Sequence, residues 1–195
     1  MRQLLIFTLL AVLTVPARAA DRYLVDTDYS SIRFAVPYDF MILGQLRGEF
    51  RQFEGEVLYD AEQPSNSAVV VEITTSSVDT RFEARDIGLR SDTYLAVETY
   101  PVALFEGRAF ERQGRHWILA GELTMRGTSQ EVEVVFELLD LGETLVANGS
   151  SVVSREAFDV KGPDLSGDIV IGDEVSIDLH LVLRREEPAP GAGGR

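Results

Sequence analysis

The run DEVSIDLHLVLRR, residues 173 to 185, limits the architectures open to this chain more than any other stretch. Val175, Ile177, Leu179, Leu181 and Leu183 fall at every second position. Ser176, Asp178, His180 and Arg184 face the other way. A helix would scatter these apolar residues around its axis. Extended backbone gathers them on one face, because successive side chains point to opposite sides. The stretch GELTMRGTSQEVEVVFEL, residues 121 to 138, repeats the pattern as a hairpin. Leu123, Met125, Val132, Val134, Phe136 and Leu138 share its apolar face, and Glu122, Glu131, Glu133 and Glu137 share the wet one. The link RGTSQ is short and polar.

Similar runs recur along the chain. SSIRFAV, QLRGEF, FEGEVLYD, AVVVEITTSSV, YPVALFEGRAF and HWILAGELTM all alternate, and a weaker run spans Leu145 to Val153. About eight or nine strands at this spacing predict an all-β fold, an antiparallel sandwich or barrel. Gly48, Gly55 and Gly121 sit inside strands, as where a barrel wall must bend. One segment breaks the rhythm. Residues 80 to 101 are rich in helix formers and charges and predict one or two short helices. Asp92 is placed to cap a helix running through Val97, stopped before Pro101. Asn148-Gly149-Ser150 reads as a tight turn and also fits a glycosylation sequon.

Both ends differ from the middle. Residues 1–19 combine Arg2, an apolar run from Leu4 to Val15, and the small-residue pattern Ala17-Arg18-Ala19. That is a secretory signal peptide, cleaved after Ala19. The apolar run is short against the ~20 residues a membrane span needs, so no stable membrane insertion is expected. The barrel domain is assigned to residues 20–185 and a disordered tail, EEPAPGAGGR, to 186–195. The chain has no cysteine, so neither disulfides nor an N-terminal lipid anchor on cysteine can form. The formal charge is −14 and grows by two when Arg2 and Arg18 leave. Such a chain repels phosphate backbones and anionic lipid surfaces, which argues against a nucleic-acid partner.

Little catalytic chemistry is on offer. His116 and His180 are the two histidines, both at polar-face positions. A zinc site needs three or four ligands, and a Ser-His-Asp triad needs a histidine and a nucleophile elbow that is missing here. The 32 acidic residues fall mostly at outward positions, as a solvated face. DLSGDIVIGDE lacks the spacing of a calcium loop and reads as a turn. No cofactor, metal or catalytic residue is assigned. What stands out is the apolar face. Its large residues either fill the interior or enclose a ligand, and the sequence pattern serves both equally.

At this point a resemblance enters. YLVDTDYSSIRFAV, GQLRGEFRQFEGEVLYD, SSVDTRFEARDIGLRSDTYLAVETYPVALF, GELTMRGTSQEVEV and SREAFDV with IGDEVSIDLHLVL follow, in order, the blocks of the YceI-like family of lipid- or polyisoprenoid-binding proteins. The resemblance runs from Tyr23 to about Leu183. It implies a lipocalin-like extended antiparallel barrel of about eight strands with one or two short helices. It implies that a long isoprenoid or related amphiphile, such as a quinone, is bound inside without chemistry, by an exported carrier or sequestering protein of the periplasm. A membrane cytochrome is an implied neighbour, and a homodimer through an edge strand is open. An interaction protein with a packed interior, or an enzyme acting on an amphiphile, are the alternatives.

On the resemblance and the alternation together, the lining is expected from Phe34, Val36, Leu46, Phe50, Phe53, Val57, Val71, Ile73, Phe105, Leu119, Leu123, Val134, Phe136, Ile177, Leu179 and Leu181. Arg85, Asp86, Tyr94 and Tyr100 are the mouth or head-group candidates, with an Arg85–Asp86 ion pair bracing the helical segment as the structural alternative. The chain departs from the family pattern at Tyr29 and Gly88, each standing where the family has His, and at Thr128. A single β-bulge would invert part of the lining.

Overall fold

The computed structural model describes residues 20–40, 42–161 and 170–186. Residues 1–19, read above as a signal peptide, and nearly all of 186–195 therefore lie outside the described residues, as does most of the DLSGDIVIGDE run. Twelve strands and one α-helix are described: β1 (Asp21–Val25), β2 (Ser31–Phe40), β3 (Ile42–Phe50), β4 (Phe53–Tyr59), β5 (Ala68–Thr74), β6 (Val78–Asp79), α1 (Glu83–Arg90), β7 (Val102–Gln113), β8 (His116–Met125), β9 (Thr128–Asp140), β10 (Thr144–Ser154), β11 (Val170–Ile171) and β12 (Glu174–Arg185).

Every pairing is antiparallel, and the sheet closes on itself. Its ring runs β1-β4-β5-β7-β8-β9-β10-β12 and returns to β1, an eight-strand barrel. Alternation makes one surface of this ring apolar throughout, so the apolar faces meet inside and the acidic faces point out. Glu131, Glu133 and Glu137 are exposed on β9, and so are His116 and His180.

The wall beside β12 is built from two strands. β1 lies against Leu183–Arg185 and β2 against Ser176–His180. At the break between them Ser30 takes over the ladder: its hydroxyl accepts from the Val182 amide at 2.9 Å and donates to the Asp26 carbonyl at 2.7 Å. β2 and β3 then run together as a hairpin past the end of the barrel. β6 joins β3 at Glu49 and Phe50.

Three local expectations are corrected. The helix is α1, Glu83–Arg90, rather than one capped by Asp92. Glu83 and Asp86 lie in its first turn and Arg90 in its last, which suits the helix dipole. The segment after it folds in turns, with Ala96 held at φ 48°. Asn148-Gly149-Ser150 is no turn. β10 passes straight through it, with Gly149 opposite Phe136 on one side and Leu179 on the other. The β8–β9 link is also tighter than RGTSQ implied. Arg126 (φ 52°) and Gly127 (φ 75°) alone make the turn, the backbone hand that two-residue hairpins favour.

The core is densest at the β1 end, where Tyr23, Leu145 and Leu183 are buried. Leu145→Ala should lower unfolding free energy by about 2–5 kcal/mol, read from urea denaturation. Leu141→Ala, at an exposed position close by in sequence, should change it by less than about 0.5 kcal/mol.

Candidate functional site

The barrel encloses a cavity of about 480 Å³. That falls within the ~300–1,000 Å³ usual for small-molecule sites. The packed-interior alternative therefore does not hold. The wall is apolar over most of its height, and Phe34, Val36, Leu46 and Phe50 of the β2–β3 hairpin reach it. So do Val57 of β4, Val71 and Ile73 of β5, Phe105 of β7, Leu119 and Leu123 of β8, Val134 and Phe136 of β9, and Ile177, Leu179 and Leu181 of β12. Of the expected lining, Phe53 alone is not on the wall; it is buried in the core cluster instead.

Glycines leave room for the rings. Gly48 faces Phe34 across the β2–β3 ladder, and a Cβ there would come within 2.5 Å of the ring. At Gly121 a Cβ would come within 2.6 Å of the Phe105 ring. Each ring lies flat over a bare backbone instead of projecting across the lumen.

Other wall residues carried weaker sequence signals. Leu145, Ala147, Gly149, Ser151 and Val153 bring β10 to the wall. Their small and polar members blur the alternation, and the false turn hid the rest. Phe110 reaches the wall because the β7–β8 register slips between Arg108 and Phe110, so that inward positions change from odd to even. Leu89 comes from α1 and Leu95 from the turns after it, where no strand period exists to follow.

At one end of the cavity aromatic rings gather, with Tyr59, Phe110 and Phe136 on the wall. Tyr23, Tyr59, Phe110, Phe136 and Trp117, from five different strands, contact one another in sequence with centroid distances of 6.4, 6.5, 5.6 and 6.5 Å. Below them the Tyr23 hydroxyl donates to the Gly142 carbonyl at 2.8 Å, and Arg185 donates to the Tyr23 oxygen at 3.0 Å. Burial raises the Tyr59 hydroxyl pKa, with Asp140 adding to the effect.

Polar side chains gather at the other end. Arg85, Tyr94 and Arg155 line the cavity there, beside Gly88 and Leu89 of α1. Arg85 and Asp86 do not pair with each other. Both converge on Thr80: Asp86 Oδ1 accepts from its amide at 2.9 Å and from its hydroxyl, while Arg85 donates to its hydroxyl at 2.7 Å and to its carbonyl at 2.9 Å. Asp86 is buried and away from the wall. Tyr100 is also off the wall, with its ring against Gly127 and its carbonyl accepting from Thr75 at 2.8 Å. Of the departures, Gly88 borders the cavity with nothing within 4 Å of its missing Cβ. Tyr29 stands exposed near Arg184, with the guanidinium 5.7 Å from its ring centre.

Arginines tie the irregular backbone of this end together. Arg126 reaches from the β8–β9 turn to the carbonyls of Asp92 (2.8 Å) and Tyr94. Arg90 donates to Ser76 (2.9 Å) and Val78 (3.0 Å). Arg155 donates to the carbonyls of Val160, Lys161, Ile171 and Gly172. Asp173 completes that last clamp, accepting from the Glu156 amide and the Ser154 hydroxyl, both at 2.9 Å. These two bonds, the amide foremost, hold its carboxyl below the ordinary range.

A carboxylate whose pKa is lowered by folding stabilises the fold above its unfolded value of about 4, and loses that effect as pH falls through the lowered one. Protection of the Glu156 amide from hydrogen exchange should therefore hold at neutral pH and fall below about pH 4. Asp173→Asn should show weaker protection without that pH step.

The model of the YceI-like domain matches residues 23–183. Protein YceI of Salmonella newport is 31% identical over 145 residues, 73% of this chain and 75% of that one. The crystal structure of Burkholderia cenocepacia BcnA has a TM-score of 0.73 at 25% identity, covering 81% of this chain and 98% of that one. A polyisoprenoid-binding domain from Saccharophagus degradans, implicated in plant cell wall breakdown, shares the fold with a TM-score of 0.68 at 14% identity, over 86% of this chain and 99% of that one. A domain match across the whole barrel, with sequence identity to Protein YceI, makes this chain a member of the YceI-like family.

Proposed function

We propose that this protein binds the tail of a long-chain isoprenoid or related amphiphile inside the barrel, and carries or sequesters it without chemical change. The observation that carries the reading is the cavity: an almost wholly apolar wall, with aromatic rings at one end and Arg85, Tyr94 and Arg155 at the other. Such a wall suits the tail of an amphiphile. Each methylene moved from water to such a wall gains about 0.8 kcal/mol, so a tail supplies affinity with no catalytic group. The family supports a lipid ligand, and a quinone is the isoprenoid we favour.

The reading includes export. Residues 1–19 act as a cleaved signal and the mature chain works in the periplasm. Among the described residues no helix is long and apolar enough to cross a membrane. A membrane cytochrome as neighbour rests on the family resemblance, and pairing with a second copy rests on an exposed edge strand. An enzyme acting on an amphiphile needs an ionisable group with a shifted pKa on the cavity wall, and Asp86 and Glu106 are the residues to check. Asp86 is bound to Thr80, and Glu106 is exposed on the outer face.

The direct test is to purify the protein from its own periplasm and record its native mass before and after organic extraction. A stoichiometric isoprenoid or quinone supports the reading. A bare protein mass that stays unchanged after incubation with such lipids overturns it. Ile177 stands on the wall of β12, with Ser151 and Phe34 as its register partners. Ile177→Trp should fill the lumen and weaken lipid binding by at least about tenfold, at a stability cost of about 1–3 kcal/mol.

A further inference from the structure

The closed end of the cavity differs from the rest of the wall. Elsewhere side chains line the lumen and leave it open. Here Tyr59, Phe110 and Phe136 follow one another ring to ring along the wall, with Tyr23 packed on Tyr59 and Trp117 on Phe136. The rings come from β1, β4, β7, β8 and β9, so a fluctuation of one strand does not open the floor. The underside is pinned by the Tyr23–Gly142 and Arg185–Tyr23 hydrogen bonds. Tyr23, Leu145 and Leu183 around it are 1–2% exposed.

Depth follows from the register. Val175 and Leu183 of β12 both stand on the wall, eight residues apart. At ~3.3 Å per residue and a strand tilt of ~40°, that gives a lumen about 20 Å deep.

We infer that the aromatic floor is a length gauge: it selects amphiphiles whose single apolar tail ends at Phe110 and Phe136. The inference rests on the tail-binding reading above and adds the specificity. A tail shorter than the lumen gains affinity with each methylene, because each one leaves water. A tail that has reached the rings gains nothing from further methylenes, which must fold back or protrude. The bulge that turns Phe110 inward is then the feature that sets the length.

The chain carries its own reporter. Trp117 is the single tryptophan, stacked on Phe136 at 6.5 Å. The experiment titrates delipidated protein with straight-chain primary alcohols of increasing length, delivered from cyclodextrin, and follows affinity by calorimetry and Trp117 by emission. Affinity should rise about fourfold per methylene, then stop rising at one chain length. Trp117 emission should shift only from that length onward. Phe110→Ala should move the break upward by about three methylenes, in keeping with the ring volume removed. Phe110→Leu, a milder change that keeps the core apolar, should move it by about one.

Affinity that climbs without a break in the native protein overturns the gauge, and so does a break that neither variant moves. Failure of every alcohol to bind the native protein overturns the tail-binding reading itself, and the gauge with it.

Discussion

A barrel with an open lumen has no packed centre to hold its walls apart and together. Its stability falls on the closure of the hydrogen-bond ladder. Here closure depends on β1, five residues long, which pairs with β4 through Tyr23–Val57 and with β12 through Val25–Leu183. A sheet with two free edges would expose unpaired amides and lose the enclosed volume at once. Tyr23 belongs to this closure twice. Its backbone joins the two ladders, and its side chain joins the aromatic floor and the Gly142–Arg185 brace. The same residue that shuts the wall therefore shuts the bottom.

The opposite end is held by a different physics. Its backbone is irregular, and its carbonyls lack ladder partners. Of the chain's eighteen basic residues only Lys161 is a lysine. Arg90, Arg126 and Arg155 together reach carbonyls in four separate loops. A guanidinium presents several donors in one plane, so one side chain can bridge acceptors that a point charge would serve singly. The acidic surface and the arginine-tied rim are thus separate uses of charge, one for solvation and one for shape.

Much of this was legible in the sequence. Strict alternation in β8, β9 and β12 placed Leu119, Leu123, Val134, Ile177 and Leu179 on the inner face, because burial on one side leaves only one workable register. The barrel class followed from strand number and spacing, and the family blocks narrowed it further. Legibility failed where the period failed. β10 hides its inner face behind Ala147, Gly149 and Ser151, which carry no hydrophobic signal. Phe110 lies beyond a one-residue slip that alternation cannot foresee. Asp92 has the chemistry of a helix cap, yet the helix ends before it, at Arg90. The partnership of Arg85 and Asp86 with Thr80 depends on a turn through Arg81, at φ 61°, that no local pattern announces.

The β1–β12 pairing has a further consequence for how the barrel comes into being. Tyr23 pairs with Arg185, so the ring is joined by the two ends of the folded chain. Contacts this distant in sequence carry the largest loop-closure entropy and form late. Until the last strand arrives, the remaining strands make a trough whose greasy inner surface is open along one side. For the same reason neither terminal strand of the barrel is dispensable: without β1 or β12 the ring has two free edges.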